Sequence, residues 1–130
     1  MNDIKSRKDI ETLVNSFYLK VRNNEIIGFI FDDVAHVDWE HHLPRMYDFW
    51  ETTLFGKAVY KGNPIIKHIL LSKKTPMDAL HFDTWLALWK QTVDENFIGE
   101  TANEAKQKAQ NISALMLYKI QNANNSHYQN

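Results

Sequence analysis

The chain has 130 residues, 44% hydrophobic and 24% charged, which suits one globular domain with a single core. Its 15 Lys and Arg residues nearly balance 16 Asp and Glu residues, so no basic footprint predicts a nucleic acid or membrane partner. The absence of Cys excludes disulfides, thiolate metal sites and cysteine nucleophiles. No apolar run is long enough for a signal peptide or a membrane span, so we expect a cytoplasmic protein.

Helix signals begin near the N-terminus, and the low content of Gly and Pro favours long helices with few turns. Ser6 resembles the start of a capping box, and the helix that follows it is predicted to end at the asparagine pair 23–24. Residues 28–31 form a short apolar piece. Asp38 is a suitable N-cap for a second amphipathic helix, which Gly56 would end.

Three further helices are predicted in the second half of the chain. Asn63 and Pro64 suit the N-cap and first position of a short helix, which residues 73–76 interrupt. Thr75 and Pro76 within that break would restart the chain as a long apolar helix ending at Gly99. Residues 101–104 read as another capping box and begin the last helix.

No segment shows a sustained two-residue alternation of apolar and polar side chains, so the sequence predicts an all-α fold. No repeat, linker or low-complexity tract divides it. We therefore expect one domain over residues 1–122 and a polar, asparagine-rich tail over residues 123–130 that frays.

His68 is the first residue that could carry chemistry, because it lies among apolar residues of the short third helix. Motifs for nucleotides, phosphate, calcium or hydrolytic zinc are missing, so function must depend on histidines, aromatic rings and carboxylates placed by helices. A histidine in such a position most often bonds to a backbone carbonyl. The alternative is a neutral imidazole that ligates a metal from an apolar environment.

His42 shares the apolar stripe of the second helix with Trp39 and Met46, which predicts that it points inward. His41 lies about 100° away around the helix, on the wetter side, and is interpreted as a solvated residue. Because His42 and His68 belong to different helices, both can face one cavity.

Tyr18 ends the apolar face of the first helix, and Trp85 belongs to the apolar fourth helix. Core packing is the simplest interpretation of each. Both side chains also carry a hydrogen-bond donor on an apolar body. A dry pocket that stabilises a polar diatomic molecule would need such donors.

Two carboxylate–histidine pairs imitate the spacing found in di-iron helical bundles. They are Asp38 with His41 and Asp78 with His81. The first and last helices offer no carboxylate on their apolar faces, and N-capping accounts for both Asp residues. A di-iron site is therefore the weaker interpretation.

Taken in order, a set of aromatic, glycine and histidine motifs resembles the group III truncated haemoglobins. The resemblance extends from Ile10 to Met116, and the ordered set is more specific than any single piece. Its motifs are Phe17-Tyr18, residues 28–31, 39–43, 48–50, 54–56 and 60–64, His68, and residues 81–89 and 92–95.

The resemblance implies a truncated globin fold, in which two helical pairs form a two-over-two sandwich around a haem. By position, His68 matches the proximal iron ligand. Tyr18, His42 and Trp85 match distal residues that contact the bound ligand. The haem would be haem b, held without covalent attachment.

The resemblance also suggests residues that contact the haem. The cofactor-binding set comprises Phe31, Met46, Phe49, Trp50, Leu54, His68, His81, Trp85 and Trp89. Haem propionates need cations at the pocket mouth, and the candidates are Arg45, Lys73, Lys74 and His81.

The implied activity is binding of O₂, NO or CO, with a role in oxygen transport or oxygen handling. Turnover of NO or peroxide would need an external reductase, because the chain has no flavin or nicotinamide motif. Two other classes remain open. One is a haem-free helical sensor or interaction module, and the other is a non-haem metalloenzyme using His36, His41, His42 and nearby acidic residues.

Overall fold

Each predicted amphipathic stretch folds as a helix in the computed structural model, which describes residues 1–62 and 64–125. Those residues contain no strand, as the sequence predicted. The helices are α1 (Arg7–Arg22), a π-helix (Ile30–Val34), α2 (Trp39–Phe55), α3 (Pro64–Lys74), α4 (Ala79–Asn96) and α5 (Glu100–Asn125).

Local signals set the bounds of the first two α-helices. The Ser6 hydroxyl accepts a hydrogen bond from the Asp9 amide, and the helix ends at the predicted asparagine. Asp38 occupies the N-cap position of α2, although its carboxylate binds the His41 ring at 2.6 Å rather than a backbone amide. Gly56 ends α2 with a φ of 70°, a conformation that glycine adopts without strain.

The core forms where α1 and α2 pack against α4 and α5. α1 contacts both α2 and α4, while α5 contacts α4, α3 and α2. Small residues on α5, namely Ala102, Ala105 and Ala109, are buried and allow close approach of its neighbours. Trp89 of α4 is fully buried between the layers and donates its indole N–H to the Ala105 carbonyl at 3.1 Å.

Two predicted helix starts were wrong. α4 does not restart at Thr75 and Pro76: it begins at Ala79, where the Asp78 carboxylate accepts from the Leu80 amide. α5 begins at Glu100, one residue before the predicted capping box at 101–104. In both places another side chain binds the free amides of the first turn more directly.

The free amides at the start of α5 bind Asp3, a residue from the N-terminal segment. Its carboxylate accepts from Thr101 at 3.0 Å and from Ala102 at 2.8 Å. Burial would raise the pKa of Asp3, but backbone hydrogen bonds from Thr101, Ala102 and Ile4 outweigh it and hold that pKa below its ordinary value. Gly99 permits this contact, since a Cβ atom there would overlap the carboxyl group.

Two predictions, the frayed tail and the N-cap of α3, fall partly on residues that the structure does not describe. Pro64 is the first residue of α3, as expected, whereas Asn63 lies outside the described residues. α5 continues to Asn125, three residues beyond the expected domain boundary, and residues 126–130 lie outside the described residues.

Candidate functional site

A cavity of about 420 Å³ lies between the helices, and every helix contributes to its lining. Its volume falls within the range of small-molecule and cofactor sites. Most of the lining is apolar and aromatic: Phe17, Ile27, Ile30, Phe31, Ala35, Val37, Met46, Phe49, Trp50, Leu70, Leu71, Met77, Phe82, Trp85, Ile112 and Met116. The polar lining residues are Tyr18, His42, Arg45, Tyr60, Lys67, His68, Lys74, His81 and Ser113.

The cavity brings together most residues that the sequence singled out. The four residues matched to ligand contacts, Tyr18, His42, His68 and Trp85, all line it. Of the predicted haem contacts, Phe31, Met46, Phe49, Trp50 and His81 also line it. Leu54 and Trp89 do not: Leu54 packs on the core from outside, and Trp89 lies one layer deeper.

Trp89 nevertheless supports the cavity wall through ring stacking. Its ring stacks on Trp50 at a centroid distance of 4.2 Å and runs nearly parallel to Trp85 at 6.3 Å. Phe17 meets both Trp85 and Trp89 edge-on. Such packing fixes the two cavity-facing indoles from behind, which restricts their orientation.

Tyr18 of α1 and His42 of α2 form a polar pair in the apolar lining. The His42 Nε2 atom lies 3.3 Å from the Tyr18 hydroxyl, and the rings meet edge-on at 5.2 Å. Burial raises the pKa of the Tyr18 phenol well above its usual value, so the hydroxyl keeps its proton and remains a donor. Trp39 and Phe31 pack against the same tyrosine ring and cover it.

Burial also keeps the His42 ring neutral at physiological pH. It lowers the pKa of His42 to about 4, and the nearby basic side chains of Arg45, His68 and Lys67 act in the same direction. A neutral imidazole beside a protonated phenol leaves one nitrogen available as an acceptor and the other as a donor.

Titration of the apo-protein is therefore expected to show the His42 imidazole protonating near pH 4 rather than near 6.5. Between these values the unfolded chain binds a proton that the folded chain lacks, so stability falls as the pH is lowered through this window. NMR titration of the ring protons measures the first effect, and urea unfolding at several pH values measures the second. His42→Gln should flatten this acid dependence, whereas His41→Gln, on the exposed side of α2, serves as the control.

His68 is half-buried on α3 and faces the cavity. Leu71, three residues further along, lines the same wall. The His68 imidazole therefore reaches the cavity from α3, whereas Tyr18 and His42 reach it from α1 and α2. The side chains of Ile65 and Ile69, which the sequence placed beside His68, lie outside the described residues.

Positive charge collects at the cavity mouth. Arg45, Lys67 and Lys74 line the cavity and have no carboxylate partner among the described residues. Lys73, also predicted as a propionate partner, is exposed but not part of the lining. His81 lines the mouth while its Nδ1 accepts from the Asp78 amide at 3.1 Å, which completes the cap of α4.

Sequence reasoning missed Lys67, Tyr60 and Ser113 as lining residues. Lys67 and Lys74 are seven residues apart, and Leu70 and Leu71 lie between them, so helical periodicity would have placed all four on one face. Tyr60 packs edge-on against Phe49, a contact between segments that no local pattern shows. Ser113 sits on a face otherwise occupied by apolar residues of α5.

The residues proposed for non-haem metal chemistry do not converge. His41 binds Asp38 at the surface, and His36 is exposed in the loop before α2, with a φ of 49°. Across residues 1–62 and 64–125, no three His, Asp or Glu side chains cluster as metal ligands would. Asp78 and His81 cap α4 together, which accounts for their spacing without a metal.

Comparisons with known proteins agree on one family. Residues 2–119 match the family model described as bacterial-like globin. The chain is 31% identical to the group 3 truncated hemoglobin ctb of Campylobacter jejuni, over 88% of this chain and 92% of that protein. The crystal structure of the group III truncated hemoglobin from Campylobacter jejuni superposes with a TM-score of 0.80 at 27% identity, covering 92% of this chain and 95% of that one. Within the described ranges, no helix combines the length and apolar character that crossing a bilayer requires.

Proposed function

Because the chain belongs to the bacterial-like globin family, and within it to the group III truncated haemoglobins, we propose that it binds haem b non-covalently in the central cavity. The family implies a haem cofactor and small diatomic gases as ligands. We propose further that His68 is the protein ligand to the iron, and that O₂, NO and CO bind beside Tyr18, His42 and Trp85.

The observation that carries this proposal is the composition of the cavity lining. A flat apolar macrocycle with two carboxylates needs ring-lined walls, one imidazole and cations at an open edge. Aromatic walls, His68 and the mouth residues Arg45, Lys67 and Lys74 supply these three elements. The residues present therefore fit the cofactor that the family implies.

Once bound, the haem would supply an iron atom that can bind a diatomic gas. The protein contributes hydrogen bonds. Tyr18 keeps its proton and can donate to a partially negative ligand atom, the arrangement in which a hydrogen bond is strongest. Trp85 offers a second donor, because its Nε1 atom bonds to no described residue, whereas Trp89 and Trp39 use theirs for Ala105 and Asp32.

His42 acts on this site through Tyr18. The neutral imidazole can accept a hydrogen bond from the Tyr18 hydroxyl. When that hydrogen bond breaks, the hydroxyl can turn toward the cavity. The neutrality of His42 also matters, because a positive charge at this position would have to be buried among aromatic rings. The apolar walls exclude water and leave these donors for the ligand.

A haem-free sensor with the same fold is the competing function. Such a protein would fill the space between its helices with side chains. Here the space amounts to about 420 Å³, and a neutral imidazole and a protonated phenol lie at its wall. Leaving polar groups facing an unfilled apolar cavity is costly, which favours a cofactor.

Absorption spectroscopy tests the proposal directly. Purified protein titrated with haem is expected to give a saturable Soret band at one equivalent, which shifts when the sample is reduced under CO. Turnover of NO or peroxide would be examined afterwards, with an added electron donor. A titration without a saturable Soret band would rule out the haem function and leave the sensor as the alternative.

A further inference from the structure

The charges of this chain are distributed unevenly along the sequence. Residues 52–77 contain five lysines and no Asp or Glu. The remaining ten Lys and Arg residues share the rest of the chain with all sixteen acidic residues. A protein of net charge -1 therefore has one strongly basic segment, and that segment includes α3 and the turn before it.

Three exposed cations line the cavity, namely Arg45 of α2 and Lys67 and Lys74 of the basic segment, and Lys61 and Lys73 of the same segment adjoin lining residues in sequence. We call these five residues the basic rim. All five side chains are exposed. The lining residues that Lys61 and Lys73 adjoin are Tyr60 and Lys74.

No side chain of the basic rim forms an ion pair with a described carboxylate, whereas several cations elsewhere do. Elsewhere, Arg7 pairs with Asp48 and Glu51, and Lys20 and Lys106 pair with Glu95 and Asp94. Among ion pairs of described side chains, the only lysine of residues 52–77 involved is Lys57, at 3.9 Å from Glu51. Two haem propionates would neutralise at most two of the five rim charges, so the mouth stays positive with cofactor bound.

An exposed apolar residue lies within the rim. Leu70 is 55% exposed and shares a helix face with Lys67 and Lys74, at spacings of three and four residues. An apolar contact inside a polar border is the common arrangement of a protein–protein interface. Charge would steer a partner to the mouth, and Leu70 would provide short-range contact.

We propose that the basic rim is the docking surface for an acidic one-electron carrier protein, which reduces the haem through its exposed edge. The inference rests on the proposed haem function. The chain has no nucleotide or flavin motif of its own, so electrons must arrive from outside. In the step, the reduced carrier loses one electron and ferric iron becomes ferrous, with no bond formed or broken.

An acidic protein fits the rim better than an anionic lipid surface does. The charges surround the opening of a redox site, where the path for an electron is shortest. Binding to an anionic lipid surface does not require the charges to lie beside a redox site. Long-range attraction between a basic mouth and an acidic carrier raises association rates by about 10- to 1,000-fold at low ionic strength.

The test uses haem-loaded protein and a reduced plant-type [2Fe–2S] ferredoxin as the acidic probe. The Soret change under CO reports reduction of the haem, and reduced riboflavin serves as a small-molecule reductant for comparison. Calorimetric titration with oxidised ferredoxin measures docking separately from electron transfer. The variant is Lys61→Glu/Lys73→Glu, which leaves the three cavity-lining cations in place.

We expect the variant to lower the ferredoxin rate roughly tenfold or more at low salt, and added salt to lower the wild-type rate similarly. Its rate with riboflavin should not change. The control variant Lys5→Glu/Lys8→Glu carries the same change of charge at the start of α1, which packs on α2 and α4 rather than α3. It should keep the ferredoxin rate within about twofold.

Several outcomes would overturn the docking surface. Equal losses in the two variants would show a general effect of net charge. A salt-independent ferredoxin rate, or no calorimetric binding by a protein with a normal Soret band, would exclude the rim as a carrier site. Tighter, rim-dependent binding to phosphatidylserine vesicles would assign it to a membrane instead. Absence of the Soret band itself would count against the haem function, so the two failures are distinguishable.

Discussion

Replacing His68 by glycine is expected to lower haem affinity by at least about 100-fold, a loss of roughly 2.8 kcal/mol. We propose that the His68 imidazole is the iron ligand, and no other α3 residue in the cavity lining carries an imidazole. Measurement is by haem titration in the Soret region. Glycine also weakens the helix, so millimolar free imidazole should be added: it is expected to restore the spectrum by entering the space that the side chain leaves.

His41→Gly provides the matched control, because His41 is exposed on α2 and does not line the cavity. It should retain wild-type haem affinity. An unchanged haem spectrum in His68→Gly would show that the iron ligand is another residue. Failure of imidazole to restore the spectrum would indicate a collapsed helix, and His68→Gln would then separate ligation from packing.

Tyr18→Phe is expected to accelerate O₂ dissociation by about 10- to 100-fold while leaving haem binding intact. A hydrogen bond to a charged or partially charged acceptor contributes roughly 1.5–3 kcal/mol, and each 1.4 kcal/mol corresponds to a factor of ten. Phenylalanine preserves the ring contacts with Phe17 and Trp39 and removes only the hydroxyl. Stopped-flow displacement of O₂ by CO measures the dissociation rate.

Trp85→Phe tests the second proposed donor and should act in the same direction. Tyr47→Phe is the control, since Tyr47 also lies half-buried but bonds to Asn15 on the outside of the helix pair. If Tyr18→Phe left O₂ dissociation unchanged while Trp85→Phe accelerated it, the indole would be the principal donor. If neither variant changed it, the role assigned to both donors would be wrong.

Local signals determined what could be predicted of the fold. The Ser6 cap, the helix stop at Gly56 and the apolar stripes each depend on residues within one or two turns, and they correctly predicted the start of α1 and the end of α2. The start of α5 was mispredicted because its amides bind Asp3, which is 98 residues away from Thr101. A pattern within residues 101–104 cannot show that a distant carboxylate occupies the same position.

The candidate site was predictable to the extent that its residues point along amphipathic stripes. His42 was assigned to an inward stripe, and the structure places it at the cavity wall beside Tyr18. Trp89 was expected at the haem from the family resemblance, but it lies behind Trp85, and sequence motifs do not distinguish a cavity wall from the layer behind it. Lys67 was missed because a lysine beside an apolar stripe is normally read as solvated.

Asp3 links the beginning of the chain to the helix that supplies Ile112, Ser113 and Met116 to the cavity. Shortening the chain by its first five residues would remove none of the proposed haem contacts. It would nevertheless expose the first amides of α5 and delete Ile4, which is 2% exposed in the core. Gas-binding measurements on proteins with altered N-termini would then report a loosened cavity wall, even though every residue facing the ligand is unchanged.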